Sequence, residues 1–503
     1  MGANYATSMP ETKRKREGAV PCGGAHRPGF PGDYPRSFPP CATMTSMKDT
    51  AHIPVDPRAL AVLRAIEAEG ESAWFVGGCV RDALIGRPAH DFDIATSARW
   101  QRVRAIFLAQ GRHVIEAGAE HGSVGVVVDG LVVETTTYRV ESSYSDGRRP
   151  DDVAFVDEVL LDLARRDFRM NAIAYHPERG LCDPFGGRSD IEAGIVRAVG
   201  DARARFEEDP LRILRAVRFC AQLGFVAAEG TRDAILERAG DIRRVSKERV
   251  LAELEKTLVA PAPGAVIAQY APVIGEVIPG FLHEDASRAG KQDASLERTA
   301  HAVDAVPARA ELRFAALLAD MEKTCGNGVA RSSLRALKAP RKLIDRVCML
   351  LDALDEETSA CPLHIRLLAA AHGGDLDFVR DLATLQQALG ADGDAANGQG
   401  AQIRKTLDEV ERDPGALNRS DLAIGGGDLI QAGMVPGPAV AATLDALLLE
   451  VIQGTVGNER TVLLERATSG NLLCEPAAEN IFKKVLKREL TNQAKHRNIQ
   501  TRA

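Results

Sequence analysis

Paired cysteines are missing from this sequence: its nine cysteines are scattered, and none stands in a CxxC pair. That excludes a zinc ribbon and a disulfide scaffold, and the cysteines are expected to be buried thiols in a reducing compartment. Long apolar runs are missing as well, since no stretch reaches the roughly 18 consecutive residues that a membrane helix needs. The basic run Lys13-Arg14-Lys15-Arg16 is not followed by an apolar core anywhere between Gly18 and Cys41, so a secretory signal is not expected either. These absences point to a cytoplasmic protein with no membrane partner. Nor is positive charge in excess: the formal net charge is −7, so any grip on nucleic acid has to come from local clusters.

What is present is an ordinary globular composition, 45% hydrophobic and 26% charged over 503 residues, enough for roughly three or four domains with sizeable cores. Residues 1–50 are rich in Pro, Gly and charge and lack apolar periodicity. They read as a disordered, dispensable arm, with Met44 or Met47 as alternative starts.

The rest is organised around Trp74 to Thr96, WFVGGCVRDALIGRPAHDFDIAT. Ala73 to Val76 predicts a buried strand, Gly77-Gly78 a close backbone turn, and the following residues a helix from about Val80. Free amides at that helix start, with Arg81 as a forked cation and Asp82 to orient it, form a candidate cradle for a triphosphate. Asp91 and Asp93, two apart on a second strand, project from one face and can share hard cations. Magnesium suits them, being an oxygen-seeking ion completed by waters and substrate phosphates. An isolated DxD is more often a solvated acidic turn. Its position about a dozen residues after the glycine turn is what favours catalysis.

Around this stretch, Val55 to Gly70 and Ala98 to Gln110 predict helices, and strands are expected near His113 to Glu116, Ser123 to Val128 and Leu131 to Thr136. Glu134, in the β-branched run VVETTTYR, is either a third carboxylate beside the DxD strand or an exposed strand position. Tyr138 to Asp152 predicts a mobile loop over the site. In DLARRDFRMNA, Arg165 and Arg166 suit phosphate and RNA contacts. Asp167 and Asn171 can hydrogen-bond a ribose, or Asp167 can simply cap a helix. Further on, Asp209 and Arg212 stand three apart on a predicted helix, with Arg215 one step along. A carboxylate accepts and a guanidinium donates, so this pair can match the amine and ring nitrogen of C or A while repelling U and G. The competing reading is a plain N-cap followed by Pro210.

In order, GGCVRD with DFD, RRDFRMNA, EEDPLRILRAVRF and SKERVLAELEK resemble the catalytic, ribose-selecting, base-recognition and helix-stabilising motifs of one family. It is the bacterial-type (class II) CCA-adding tRNA nucleotidyltransferases, which also includes bacterial poly(A) polymerases. Arg169 departs from the pattern, which usually has Thr there. The similarity runs from about Val55 to Lys256, and more loosely beyond. It implies catalytic carboxylates Asp91, Asp93 and Glu134, with Mg2+ on Asp91 and Asp93. It also implies a nucleotide site of Gly77, Gly78, Arg81, Asp82, Arg166, Asp167, Asn171, Asp209, Arg212, Arg215 and Arg218. The implied substrates are tRNA, CTP and ATP.

The expected fold class is α+β: a polymerase-β-like nucleotidyltransferase head with a mixed sheet over residues 51–198, followed by an all-α neck, body and tail. Boundaries are expected at 199–262 for the neck, 263–395 for the body and 396–482 for a tRNA-holding tail, with a basic terminus at 483–503. Leu296 to Lys323 resembles an HD phosphohydrolase domain that has lost its ligands. Ala319-Asp320 stands for the His-Asp pair and Arg298 for the earlier histidine, and a lone Asp320 cannot hold a transition metal. His301 reads as a surface or core histidine, and Gly390 to Gly400 as a flexible insertion. Rivals to CCA addition are a poly(A) polymerase, a C-only or A-only enzyme, a metal-dependent phosphohydrolase, and a noncatalytic tRNA-binding protein.

Overall fold

The head begins where Asp56 accepts a hydrogen bond from the Arg58 amide (2.8 Å) and starts helix α1, Pro57–Ala68, whose Val62, Leu63 and Ile66 are buried. The computed structural model describes residues 53–89, 91–141, 153–282, 289–356, 358–390 and 393–469, together with 482 and 485. The arm 1–50, the part of the expected loop from 142 to 152, and nearly all of the basic terminus lie outside the described residues.

After α1 come β1 (Ala73–Val76), α2 (Gly78–Leu84), β2 (Phe92–Thr96), α3 (Trp100–Ala109), β3 (Val114–Ile115), β4 (Ser123–Val128) and β5 (Leu131–Thr137). A two-stranded ribbon, β6 (Arg139–Glu141) with β7 (Val153–Phe155), leads to α4 (Val159–Ala164). Then β8 (Ala174–His176) and β9 (Gly180–Cys182) complete the sheet ahead of α5 (Gly187–Glu192) and β10 (Ile195–Val196). The sheet order is β3-β4-β5-β2-β1-β8-β9. Its neighbours are antiparallel except β2 and β5, so α3, β3 and β4 serve as the crossover that a parallel pair requires. The β4–β5 hairpin turns on Asp129-Gly130, both at positive φ (45° and 80°), the backbone an Asp-Gly turn supplies most easily.

Alternation along β1 sends Phe75 into the main core with Ile94 and α1, while Trp74 and Val76 join Ala95, Tyr138, Leu163 and Ala174 on the other face. Burying Phe75 alone contributes about 1.5–3 kcal/mol. Both faces of β1 are therefore covered, and the strand that carries the glycine turn is fixed from both sides.

The neck contains α6 (Ala202–Glu208), α7 (Leu211–Leu223), β11 (Val226–Ala227), α8 (Glu229–Glu237) and α9 (Lys247–Leu258). β11 pairs in parallel with β10, so one strand lies beyond Asp201, where only helices were expected; two residues are too few to show a period. The body continues through α10 (Gly264–Gln269), α11 (Ala271–Val277), α12 (Ala289–Ala305), α13 (Ala310–Cys325), α14 (Val329–Ala336), α15 (Arg341–Asp352), α16 (Pro362–Ala371), α17 (Leu376–Leu389) and α18 (Gly393–Arg412). Helices α19 (Gly426–Gln431), α20 (Pro438–Ile452) and α21 (Arg460–Thr468) follow. The stretch from Gly390 was expected to be a flexible insertion, yet it is helical from Gly393, and α18 runs across the expected body–tail border. Glycine weakens a helix by about 1 kcal/mol each. Here Ile403, Leu407 and Val410 are buried on a helix packed against α16 and α17, and tertiary burial overrides local preference. Among the described residues no helix is long and apolar enough to cross a membrane.

Candidate active site

The sheet itself builds the acidic face. Val76 at the end of β1 stands opposite Asp93 of β2, and on the other side of β2 Glu134 of β5 is the register partner of Asp93. Register partners on adjacent strands project from one face; Asp91 lies just before β2, in the bend that leads into Phe92, and its charge reaches Asp93. Asp91 and Glu134 are exposed and Asp93 is half-buried. Among the described residues no hydrogen bond or ion pair engages any of the three carboxylates. Burial and the Glu134 charge push the Asp93 carboxyl up to about 6, with Arg166 opposing the shift.

Gly77 makes the approach to this face possible. It sits at φ +75°, and a Cβ there would lie 3.1 Å from Arg166 Nη1 and 3.6 Å from Asp93 Oδ2, so a side chain would intrude between the cation and the carboxylate. Arg166 is anchored by its Nη2 to Asp162 (3.1 Å), a fully buried carboxylate that Arg165 also grips at 2.7 Å. Burial opposes ionisation of Asp162, but the two guanidiniums win and hold it below the usual range. Arg81 donates from Nε and Nη2 to Asp82 (2.9 and 3.0 Å) and from Nη1 to Asn171 Oδ1 (2.7 Å). Asp82 thus orients Arg81 as the sequence suggested.

Asp167 and Asn171 lie deeper than a simple ribose contact requires. Asp167 Oδ1 accepts from the Phe168 amide (2.8 Å) and Asn171 Nδ2 (3.1 Å), while Oδ2 takes Arg215 at 2.5 Å. Burial raises the Asp167 pKa, but Arg215 beside it and the Asn171 bond hold the carboxyl far below its ordinary value. Both residues frame the arginines. Phe219 is the floor under them, with the guanidinium carbons of Arg218, Arg81 and Arg215 at 4.2, 5.0 and 5.5 Å from its ring centre. Arg218 itself turns to Glu253 of α9 (2.7 Å).

Asp209 and Arg212 do not share a helix. Asp209 has φ −138° and ψ 100°, between α6 and α7, because Pro210 disfavours a helical residue before it. Its Oδ1 accepts from the Leu211 amide (3.1 Å) and its Oδ2 meets Arg249 Nη2 of α9 (3.0 Å). Its Oδ1 therefore caps the start of α7, the competing reading of this position, while Arg249 takes the other carboxylate oxygen. Arg212, in the first turn of α7 and mostly buried, donates to Glu208 Oε2 (2.6 Å), the Arg205 carbonyl (3.2 Å) and the Arg165 carbonyl (3.1 Å). Ser246 stands at the start of α9 as expected, but its side chain makes no capping bond.

Arg205, Glu208, Arg249, Glu253, Asp162 and Phe219 were not singled out from sequence. Asp162, three and four residues before Arg165 and Arg166, and Arg205 and Glu208, three apart and within two turns of Arg212, carry a spacing signal. In the body, Arg298 pairs with Asp320 (3.6 Å), Ser295 also bonds that carboxylate, and His301 is exposed. No group of three His, Cys, Asp or Glu side chains among the described residues converges tightly enough to hold a metal ion alone. The head carboxylates nevertheless suit a hard divalent cation. Their donors are all oxygen, and the Glu134 and Asp91 charges raise the cost of ionising Asp93, a strain that such a cation relieves.

Residues 73–197 match the family described as "Poly A polymerase head domain", 224–270 the "Probable RNA and SrmB- binding site of polymerase A", and 309–467 tRNA nucleotidyltransferase domain 2. The chain is 38% identical over 430 residues to the CCA-adding enzyme of Geobacillus thermodenitrificans, covering 83% of this chain and 98% of that one. It is 36% identical over 412 residues to the CCA-adding enzyme of Lactiplantibacillus plantarum, covering 81% and 94%. The fold superposes on the Bacillus stearothermophilus CCA-adding enzyme in complex with CTP with a TM-score of 0.67 at 32% identity, covering 82% and 97%.

Proposed function

Since this chain belongs to the CCA-adding enzyme family, we propose that it adds C, C and A in turn to the 3′ ends of tRNA in the cytoplasm. It uses CTP and ATP, needs no nucleic-acid template and releases pyrophosphate at each addition. The observation that carries the proposal is the register of Asp93 with Glu134 beside Gly77 and Arg166. Uncompensated carboxylates face a cationic ledge, an arrangement that suits a metal–triphosphate better than it suits either component alone.

Asp91 and Asp93 are the residues to hold Mg2+, which when bound supplies Lewis-acid stabilisation of charge on the reacting phosphate oxygens. The chain's own groups do the rest. Arg166 and Arg81, fixed by Asp162, Asp82 and Asn171, bind and orient the triphosphate, and Glu134 strengthens the negative potential beside Asp93. Asp209 and Arg212 read the base edge, and Asp167 holds Arg215 over the Phe219 ring. The tRNA 3′ hydroxyl attacks the α-phosphate directly. No enzyme nucleophile is needed: the Cys79 thiol near Asp93 is buried, donates to the Val76 carbonyl (3.3 Å), and is pushed up to about 11 by that burial.

The test is extension of a tRNA transcript lacking its terminal CCA, with CTP, ATP or both. CTP alone is expected to give short C addition, and both nucleotides the complete CCA end. A long A tract from ATP alone would overturn the reading in favour of a poly(A) polymerase.

A further inference from the structure

We propose that Arg205 is a positioning residue for nucleotide selection, acting through Glu208 on Arg212. This rests on the base-reading role assigned above to Arg212. Arg205 lies in α6 and Arg212 in the first turn of α7, on either side of the break at Asp209-Pro210. One oxygen joins them: Glu208 Oε2 accepts from Arg205 Nη1 (3.0 Å) and from Arg212 Nη1 (2.6 Å). The Arg205 carbonyl accepts from that same Arg212 nitrogen (3.2 Å), and the Arg165 carbonyl accepts from Arg212 Nη2 (3.1 Å). Arg205 is itself largely buried, with 14% of its side chain exposed, so its charge acts at short range with little screening.

The shared oxygen has a consequence for a reader of two bases. The ring-nitrogen acceptor of cytosine and that of adenine lie at different distances from their sugars, so an arginine that donates to both has to shift. With Arg212 as its sole cation, Glu208 would lose its counter-charge whenever Arg212 Nη1 turned to a base, and stranding a partly buried carboxylate is costly. Arg205 stays on Glu208 during that exchange. It keeps the carboxylate compensated and weakens its hold on Arg212, so the reading guanidinium is aimed by two carbonyls and can exchange Glu208 for a base.

The experiment compares Arg205→Gln, which removes the guanidinium but keeps the main-chain carbonyl, in the wild-type and Glu208→Gln backgrounds, with KM and kcat measured for CTP, ATP and tRNA. In the wild-type background KM for CTP and ATP should rise about three- to tenfold with KM for tRNA little changed, and Arg205→Lys should recover most of the loss. In the Glu208→Gln background the same change should move those KM values less than about twofold, because the charge through which Arg205 acts is gone. Thermal unfolding is recorded alongside, and Arg205→Met serves as a second charge-removing variant. An equal rise in both backgrounds, or a lower unfolding temperature with nucleotide KM unmoved, overturns the proposal. Failure of the unmodified protein to extend tRNA would instead overturn the functional reading itself.

Discussion

In the head, Asp93 and Glu134 are register partners on one sheet face with Asp91 just before the strand, and none of the three carboxylates has a side-chain partner among the described residues. In the body, Asp381 is held by Arg309 and by Arg346 (2.8 Å), Asp375 by Arg346 (2.7 Å), and Asp320 by Arg298 and Ser295. The two regions are similarly rich in acids, so composition does not separate them; the presence of counter-charge does. A neutralised carboxylate has nothing left to offer a ligand, whereas an uncompensated cluster lowers the stability of the free protein and regains it when a cation arrives.

The largest effect should follow from removing the unpaired acids. Asp91→Ala and Asp93→Ala should each lower single-turnover nucleotide incorporation by about a thousandfold or more, while the unfolding temperature and tRNA binding stay close to wild type. Normal turnover in either variant would remove the metal assignment. The body should show the reverse pattern. Asp381→Ala leaves Arg309 and Arg346 facing each other without their shared carboxylate, and urea unfolding should show a loss of roughly 3–5 kcal/mol with incorporation by the folded fraction unchanged. A loss below about 1 kcal/mol, the level of an exposed pair, would erase the contrast.

A third prediction comes from Asp93, whose pKa in the folded protein is about 6 against an ordinary 3.8. A raised carboxyl pKa means that ionisation opposes folding: the penalty is absent below about pH 3.8, grows between there and about 6, and is complete above it. Asp93→Asn removes it. The metal-free variant should therefore be more stable than wild type at pH 8 by roughly 1–3 kcal/mol, with the gain vanishing near pH 4. Magnesium should then narrow the gap by stabilising the wild type alone. A gain independent of pH would mean the cause is not charge.

The sequence carried the unpaired acids more clearly than the paired ones. The DxD spacing and the β-branched run around Glu134 announce two strands that can lie side by side, although β2 begins only at Phe92 and leaves Asp91 in the bend before it. The ion pairs Arg249–Asp209, Arg218–Glu253 and Arg346–Asp381 link residues 40, 35 and 35 positions apart, beyond any local period. Pro210 is legible as a helix start with Asp209 as its cap, one of the two readings the sequence leaves open, and the break between α6 and α7 falls at that position. The short strands β8 and β9 carry too few residues to alternate visibly. The glycines after Gly390 suggested a linker because the burial that holds α18 together comes from helices elsewhere in the chain.

The neck stands between these extremes, since Asp209 and Arg212 are paired yet are assigned to a ligand. Arg212→Ala should reduce discrimination of C and A over U and G by roughly 1–3 kcal/mol, read by competitive incorporation of all four nucleotides, with tRNA affinity less affected. Asp209→Asn keeps an oxygen for the Leu211 amide, so α7 should remain capped while selectivity falls. Unchanged selectivity in both would place base reading elsewhere.

The smallest effect is expected at Arg298. Its side chain is 58% exposed and its contact with Asp320 is long at 3.6 Å, so Arg298→Ala should shift stability by no more than about 1 kcal/mol. The variant also tests whether a freed acid in the body becomes a site. Asp320 would lose its cation and resemble the head carboxylates in charge, but it would still lack converging ligands: the preceding residue is Ala319, and His301 is exposed. A metal needs several donors at once. Arg298→Ala combined with Asp91→Ala and Asp93→Ala should therefore show no metal-dependent hydrolysis of a 2′,3′-cyclic phosphate. Hydrolysis that appears on adding a divalent metal would show that Arg298 had been suppressing a working site, and that pairing marks a silenced centre in the body rather than a scaffold.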